Sequence, residues 1–157
     1  GPFNNRRLEA RRDVLVYTSQ PLARDLEVIG PVRLQLSARS SLDYTDFMGR
    51  LCDVHPDGRS INICDGLLRI TPDRAPRHDD GSICVSIDMW ATAHRFKAGH
   101  RIRLLVSRGA HPRWNRNNGT GESDATCTTM RAADQTILHD AEHPSALLLP
   151  VTDGWQG

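Results

Sequence analysis

Four cysteines, seven histidines and two close pairs of aspartates are the side chains here that could do chemistry. The cysteines stand at 52, 64, 84 and 127, and none forms the C-x-x-C unit of zinc ribbons or fingers. Cys52 and Cys64 nearly mirror each other about Pro56-Asp57-Gly58. A cross-strand disulfide and two reduced, half-buried thiols are both open readings; the reduced pair is the one expected. The histidines are scattered, at 55, 78, 94, 100, 111, 139 and 143. His139 and His143 are four apart, but their segment ends in Pro144 and follows a strand-like run. It therefore lacks the helical H-E-x-x-H geometry that puts two imidazoles on one face. A metal site and a structured turn are the alternatives there, and the turn is expected; no metal or other cofactor is expected elsewhere.

Nucleophilic chemistry lacks its usual carrier. A hydrolase serine sits on a strained G-x-S-x-G elbow, and both Gly119-Thr120-Gly121-Glu122-Ser123 and Gly81-Ser82-Ile83-Cys84 fail that pattern. No glycine-rich phosphate loop leads into a lysine; Lys97, the sole lysine, follows Phe96. The pairs Asp43/Asp46 and Asp79/Asp80 could serve acid–base work only at separations that the sequence does not define. For Asp79-Asp80 a solvated loop is expected. By itself the chain shows no catalytic machinery.

The elements that would position such groups read as strands. Val32–Ala38, Ile83–Trp90 and Arg101–Val106 alternate apolar and polar residues, the period of a strand with one buried face. Phe47–Val54 and Ser60–Ile70 flank Pro56-Asp57-Gly58, whose proline and glycine suit a tight turn. Shorter candidates are Val14–Tyr17, Leu26–Val28, Thr136–His139 and Leu147–Val151, with Gly30-Pro31 expected to separate two strands. Thr92–Phe96 reads as a short helical turn or loop. Thr71–Gly81 and Gly109–Asp124 read as long loops, a length at which loops are commonly functional. Eight or nine mostly antiparallel strands without an amphipathic helix predict an all-β fold, best fitted by a jelly-roll β-sandwich of galactose-binding-domain type.

Size and charge agree. The 157 residues suffice for one domain with a real core, and 38% are hydrophobic against 25% charged. A net charge of +1 argues against a nucleic-acid surface. No apolar run approaches the roughly 20 residues of a membrane span. The start carries no apolar stretch after Arg6-Arg7, so no secretory signal is expected and a cytoplasmic location is.

Several motifs, in order, resemble the C-terminal domain of the cocaine esterase / X-prolyl dipeptidyl peptidase family of serine hydrolases. They begin with Asp13-Val14-Leu15-Val16-Tyr17-Thr18-Ser19 and Leu26–Val32. Thr45-Asp46-Phe47, Leu51-Cys52-Asp53-Val54-His55-Pro56-Asp57-Gly58-Arg59 and Cys64-Asp65-Gly66-Leu67-Leu68-Arg69 continue them. Ile87–Phe96, Gly99–Leu104, His139–Ser145 and Leu149-Pro150-Val151 complete the set. The resemblance implies residues 1–12 as a lead-in, 13–152 as the jelly roll and 153–157 as a tail. It further implies that the nucleophile, acid and base lie in an α/β-hydrolase domain. The jelly roll would pack on that domain, help wall its active-site cleft and enter homodimer contacts. One departure is Ala110-His111 where members carry Asn-Phe before the Pro-Arg-aromatic core.

Individual residues follow. Phe47 is expected in the core, with Asp46 satisfying a backbone or arginine group. Asp57-Gly58 is turn chemistry, and Asp65-Gly66 is expected to form a bulge. Trp90 and His94 are expected just after a strand, as a packed aromatic with a hydrogen-bonded tip beside it. His111, Trp114 and Asn115 join a titratable ring, a flat apolar face and an amide on one loop, which makes them the substrate-cleft or interdomain candidates. The alternative function is an autonomous carbohydrate- or other ligand-binding module, for which Trp114 and Trp155 are the plausible stacking platforms.

Overall fold

A computed structural model describes residues 2–109, 117–123, 130–131 and 133–152. After a one-turn helix α1 (Arg6–Glu9) come eight strands: β1 (Val14–Thr18), β2 (Leu26–Ser40), β3 (Thr45–Val54), β4 (Ser60–Ile70), β5 (Ile83–Phe96), β6 (Arg101–Ser107), β7 (Gln135–Leu138) and β8 (Ala146–Leu148). They form two antiparallel sheets. One has the order β1-β6-β3-β4; in the other, β5 and β7 flank β2, and β8 pairs β2 further along. This is the expected all-β sandwich. Alternation explains how it closes: Leu26, Val28, Val32, Leu34 and Leu36 of β2 meet Phe47 and Leu51 of β3 and Ile87 and Met89 of β5 in one core.

β3 is buried on both faces. Phe47 and Leu51 point into the sandwich. Arg50 points outward and bonds Asp65 across the β3–β4 ladder, at 3.0 Å from Nη2 to Oδ2. The N-terminal segment covers that ion pair: Asn5 Oδ1 accepts from Arg50 Nη1, and the Arg50 guanidinium lies 5.1 Å from the centre of the Phe3 ring. Asn5 N–H donates to the Ser60 carbonyl at the start of β4. On the same outer side Leu8 packs against Val14, Cys52 and Leu105.

Four local expectations are corrected. Gly30-Pro31 does not divide two strands. β2 runs through it as one 15-residue strand, because Gly30 takes φ +129° and Ile29 N–H is satisfied by the Pro150 carbonyl. Thr92–Phe96 is the end of β5 rather than a helical turn, because its ladder with Leu26–Gly30 continues unbroken. Asp65 and Gly66 are in register with Arg50 and Gly49, so the bulge lies elsewhere. The ladder slips between Leu51–Cys64 and Cys52–Asn62, leaving Ile63 as the extra residue. Gly66 instead permits close approach: a Cβ there would lie 2.1 Å from the Asp88 carbonyl oxygen of β5. Trp90 lies within β5 and is 68% exposed rather than packed. Asp88 and Ala91 oppose Arg33 and Pro31, so β5 carries an extra residue at this point. Trp90 takes φ +70° there, and its N–H donates to Asp88 Oδ1.

The same slip at Ile63 decides the cysteine question. Cys52 faces outward toward Leu8 and Leu105, whereas Cys64 packs against the inner core. Both are free thiols, as is the exposed Cys84. Pro56-Asp57-Gly58 forms the expected turn, with Gly58 at φ +84° and Asp57 accepting from Arg59 N–H.

Candidate functional site

β3 carries a buried carboxylate near each end, and each gathers a different set of side chains. Asp46, at the start, accepts from Arg69 Nε at 3.2 Å and from Asn117 Nδ2 at 2.8 Å. Gln135 Nε2 donates to its backbone carbonyl. Phe47 beside it is fully buried, as expected. Asp46 thereby fastens the described stretch 117–123 that follows β6. Asn117 and Asn118 turn their amide oxygens back onto Gly119 N–H and Thr120 N–H. Gly121 lies against the Tyr44 ring and Gly119 against Leu42, positions where a Cβ would collide with those side chains. On the other limb, Arg108 Nη1 donates to the Ala133 carbonyl. The three cleft candidates, His111, Trp114 and Asn115, fall in sequence between Arg108 and Asn117 and lie outside the described residues.

Asp53, near the other end of β3, is 3% exposed. Its Oδ2 lies 2.9 Å from His94 Nε2 and its Oδ1 lies 2.8 Å from His100 Nδ1. A carboxylate only accepts, so both ring nitrogens donate. His94 comes from β5 in the opposite sheet, so its bond ties the two layers together. Its ring also meets Phe96 edge-on, at 4.7 Å between centres. His55, from the β3–β4 turn, sits 4.4 Å ring to ring from His100. Burial alone would push the Asp53 carboxyl upward, but the two imidazole hydrogen bonds and their charge outweigh it and hold it below the ordinary carboxylate range. Asp53, His55 and His100 each offer a ligand atom, and these lie within 4.8 Å of one another.

Sequence reasoning singled out His94 of this group but missed its company. Asp53 and His55 lead into one turn, and His94 and His100 flank another, yet nothing in the spacing says that the two turns are neighbours. The β3–β6 ladder, which pairs Val54 with Arg101, brings them together. His139 and His143, four apart in sequence, separate. His143 turns to Asp140 and Asp80, at 2.9 and 2.7 Å, and builds the expected turn. His139 meets the Tyr17 ring instead.

With the fold and these two ends defined, comparison with known proteins becomes informative. Residues 3–148 match the family described as the X-Pro dipeptidyl-peptidase C-terminal non-catalytic domain. The chain belongs to this family. A cocaine esterase from Rhodococcus sp. (strain MB1 Bresler) is 38% identical across 96% of the chain, which spans 28% of that relative. A putative serine esterase of Mycobacterium tuberculosis is 32% identical across 60% of the chain and 18% of its own length. Among solved structures, an aminopeptidase from a marine-sediment thaumarchaeon superposes with a TM-score of 0.84 at 24% identity, over 96% of this chain and 27% of that one. An α-amino acid ester hydrolase does so with a TM-score of 0.83 at 22% identity, over 95% and 27%. These two likenesses concern the fold. The C-terminal non-catalytic domain thus accounts for almost all of this chain and for under a third of such relatives. Among the described residues no helix is long and apolar enough to cross a membrane.

Proposed function

We propose that this domain is the non-catalytic C-terminal sandwich of a serine hydrolase of the esterase or X-Pro dipeptidyl peptidase type. It packs on the α/β-hydrolase domain and helps wall the active-site cleft. The observation that carries the reading is the match of residues 3–148 to a domain described as non-catalytic, in a sequence without a nucleophile elbow. Two features of the sandwich support it. Asp46 fastens Asn117, two residues beyond the candidate Asn115, which suits a mount for a segment of the cleft wall. Trp90 and Ile29 stand exposed on the outer face of the β5–β2 sheet. Beside them Pro31, Ala91 and Ala93 are also exposed, an apolar face suited to a protein neighbour.

The test uses the natural protein. An antiserum against this domain, applied to a lysate of the source cells, should precipitate a longer polypeptide that a fluorophosphonate serine probe labels. The isolated domain should stay unlabelled. Recovery of only an unlabelled species of about the domain's own 17.5 kDa would refute the reading. In the intact enzyme, Trp114→Ala should lower kcat/KM more than it lowers Tm.

A further inference from the structure

We propose that Asp53, His55 and His100 form a binding site for a divalent transition-metal ion of the zinc class, clamping the β3–β4 and β5–β6 turns together. The geometry is the first ground. One donor from each residue lies within 4.8 Å of the others. Bonds of about 2.0–2.2 Å to a tetrahedral ion need donors roughly 3.4 Å apart, so a small closing motion suffices. Asp53 Oδ1 and His100 Nδ1 are already 2.8 Å apart, held by the ring proton. An ion shared by these two groups takes that proton's place and releases it to solvent.

The donor set is the second ground. Two imidazoles and one carboxylate suit zinc, nickel or cobalt, whereas calcium and magnesium take oxygen ligands. Three protein donors leave a fourth position for water.

The third ground is the surrounding support. Asp53 Oδ2 is fixed by His94 Nε2 from the opposite sheet, an outer contact that orients the ligating carboxylate. The site is also tethered. Gly99, in the turn before His100, takes φ +81°, and its N–H is bonded to the Leu22 carbonyl. The His100 side chain keeps 11% exposure and that of Asp53 4%, while His55 is half-buried at the rim, so an ion enters past His55. One contact opposes binding. Arg59 Nη2 donates to His55 Nδ1 at 3.3 Å. That bond is long and exposed, and Arg59 keeps a shorter one to Asp57, so releasing His55 leaves Arg59 paired.

Cobalt(II) titration of the chelator-treated chain tests the site, with zinc as competitor. The expected result is one equivalent of cobalt giving visible d–d absorption that zinc abolishes. Zinc should also raise Tm. His55→Asn should lose the absorption while keeping the wild-type circular dichroism spectrum, and His94→Gln should weaken binding roughly 10- to 100-fold. His143→Asn, at the separate Asp140–Asp80 turn, should bind like wild type. Independently of any variant, zinc should shift the imidazole nitrogen resonances of His55 and His100 in wild-type protein. Absence of a stoichiometric cobalt signal overturns the proposal. So does undiminished binding by His55→Asn, or a zinc response confined to other histidines.

Discussion

Gly66→Ala is the substitution on which the sandwich should be most sensitive for its size. The added methyl would lie 2.1 Å from the Asp88 carbonyl oxygen, 2.9 Å from its carbon and 3.1 Å from the Ile87 side chain. Ordinary contact begins near 3.4 Å, so β4 and β5 would have to part by more than an ångström. The obstacle is backbone, which cannot swing aside as a side-chain tip can. Ile87 beside it is fully buried, so parting the strands also opens the core there. Overpacking of this kind costs about 1–3 kcal/mol, and a backbone clash belongs at the top of that range. For a domain of this length about 3 kcal/mol corresponds to a Tm fall of roughly 6–12 °C. Urea unfolding of wild type, Gly66→Ala and Gly109→Ala measures it. Gly109 has open space around a new Cβ and no positive φ, so its variant should stay near wild type. A Gly66→Ala variant within about 0.5 kcal/mol of wild type would refute the close approach of the two strands.

Three further outcomes follow from the same structure. Arg50→Ala should cost about 3–5 kcal/mol in urea unfolding, because it removes one half of a buried ion pair together with its contacts to Asn5 and Phe3; a loss under about 1 kcal/mol would contradict that burial. Peptide-resolved iodoacetamide labelling should reach exposed Cys84 before Cys64, and Cys52 only on unfolding, since burial pushes the Cys64 thiol up to about 11 and Cys52 up to about 12. The hydrogen bonds to Asp140 and then Asp80 raise His143 above the ordinary histidine value, so its stabilising contribution is full below that value and fades as pH rises through the raised one. His143→Gln should flatten that part of the stability–pH curve, and an unchanged slope between wild type and variant would count against the pairing.

Much of the fold was legible because alternation is a local signal. Val32–Ala38 and Ile83–Met89 announce their buried faces residue by residue, and Pro56-Asp57-Gly58 announces its turn. Where the reading failed, a second element had intervened. The Pro150 carbonyl satisfies Ile29 and lets β2 run through Gly30-Pro31. The Asp88 backbone, not a bulge, requires Gly66. Trp90, by contrast, stands out of phase with Ile83, Val85, Ile87 and Met89, so alternation itself turns its ring to solvent, and the expectation of a packed aromatic followed residue type rather than period. Gly109–Asp124 reads as a loop in the sequence, and the anchors of its described part, Asn117 on Asp46 and Gly121 against Tyr44, emerged only in three dimensions.

The sequence by itself determined the fold class, the family and the absence of a nucleophile elbow, since each is written in local periodicity or in contiguous motifs. Only the tertiary structure decided which charged groups meet. Asp53 is one polar residue in a strand until the β3–β6 ladder and the facing sheet bring His55, His94 and His100 around it. Arg50 and Asp65 are two ordinary charges until Phe3 and Asn5 fold over them. Pairings across 15 to 47 positions of sequence depend on register and layer, and neither is encoded at any one position.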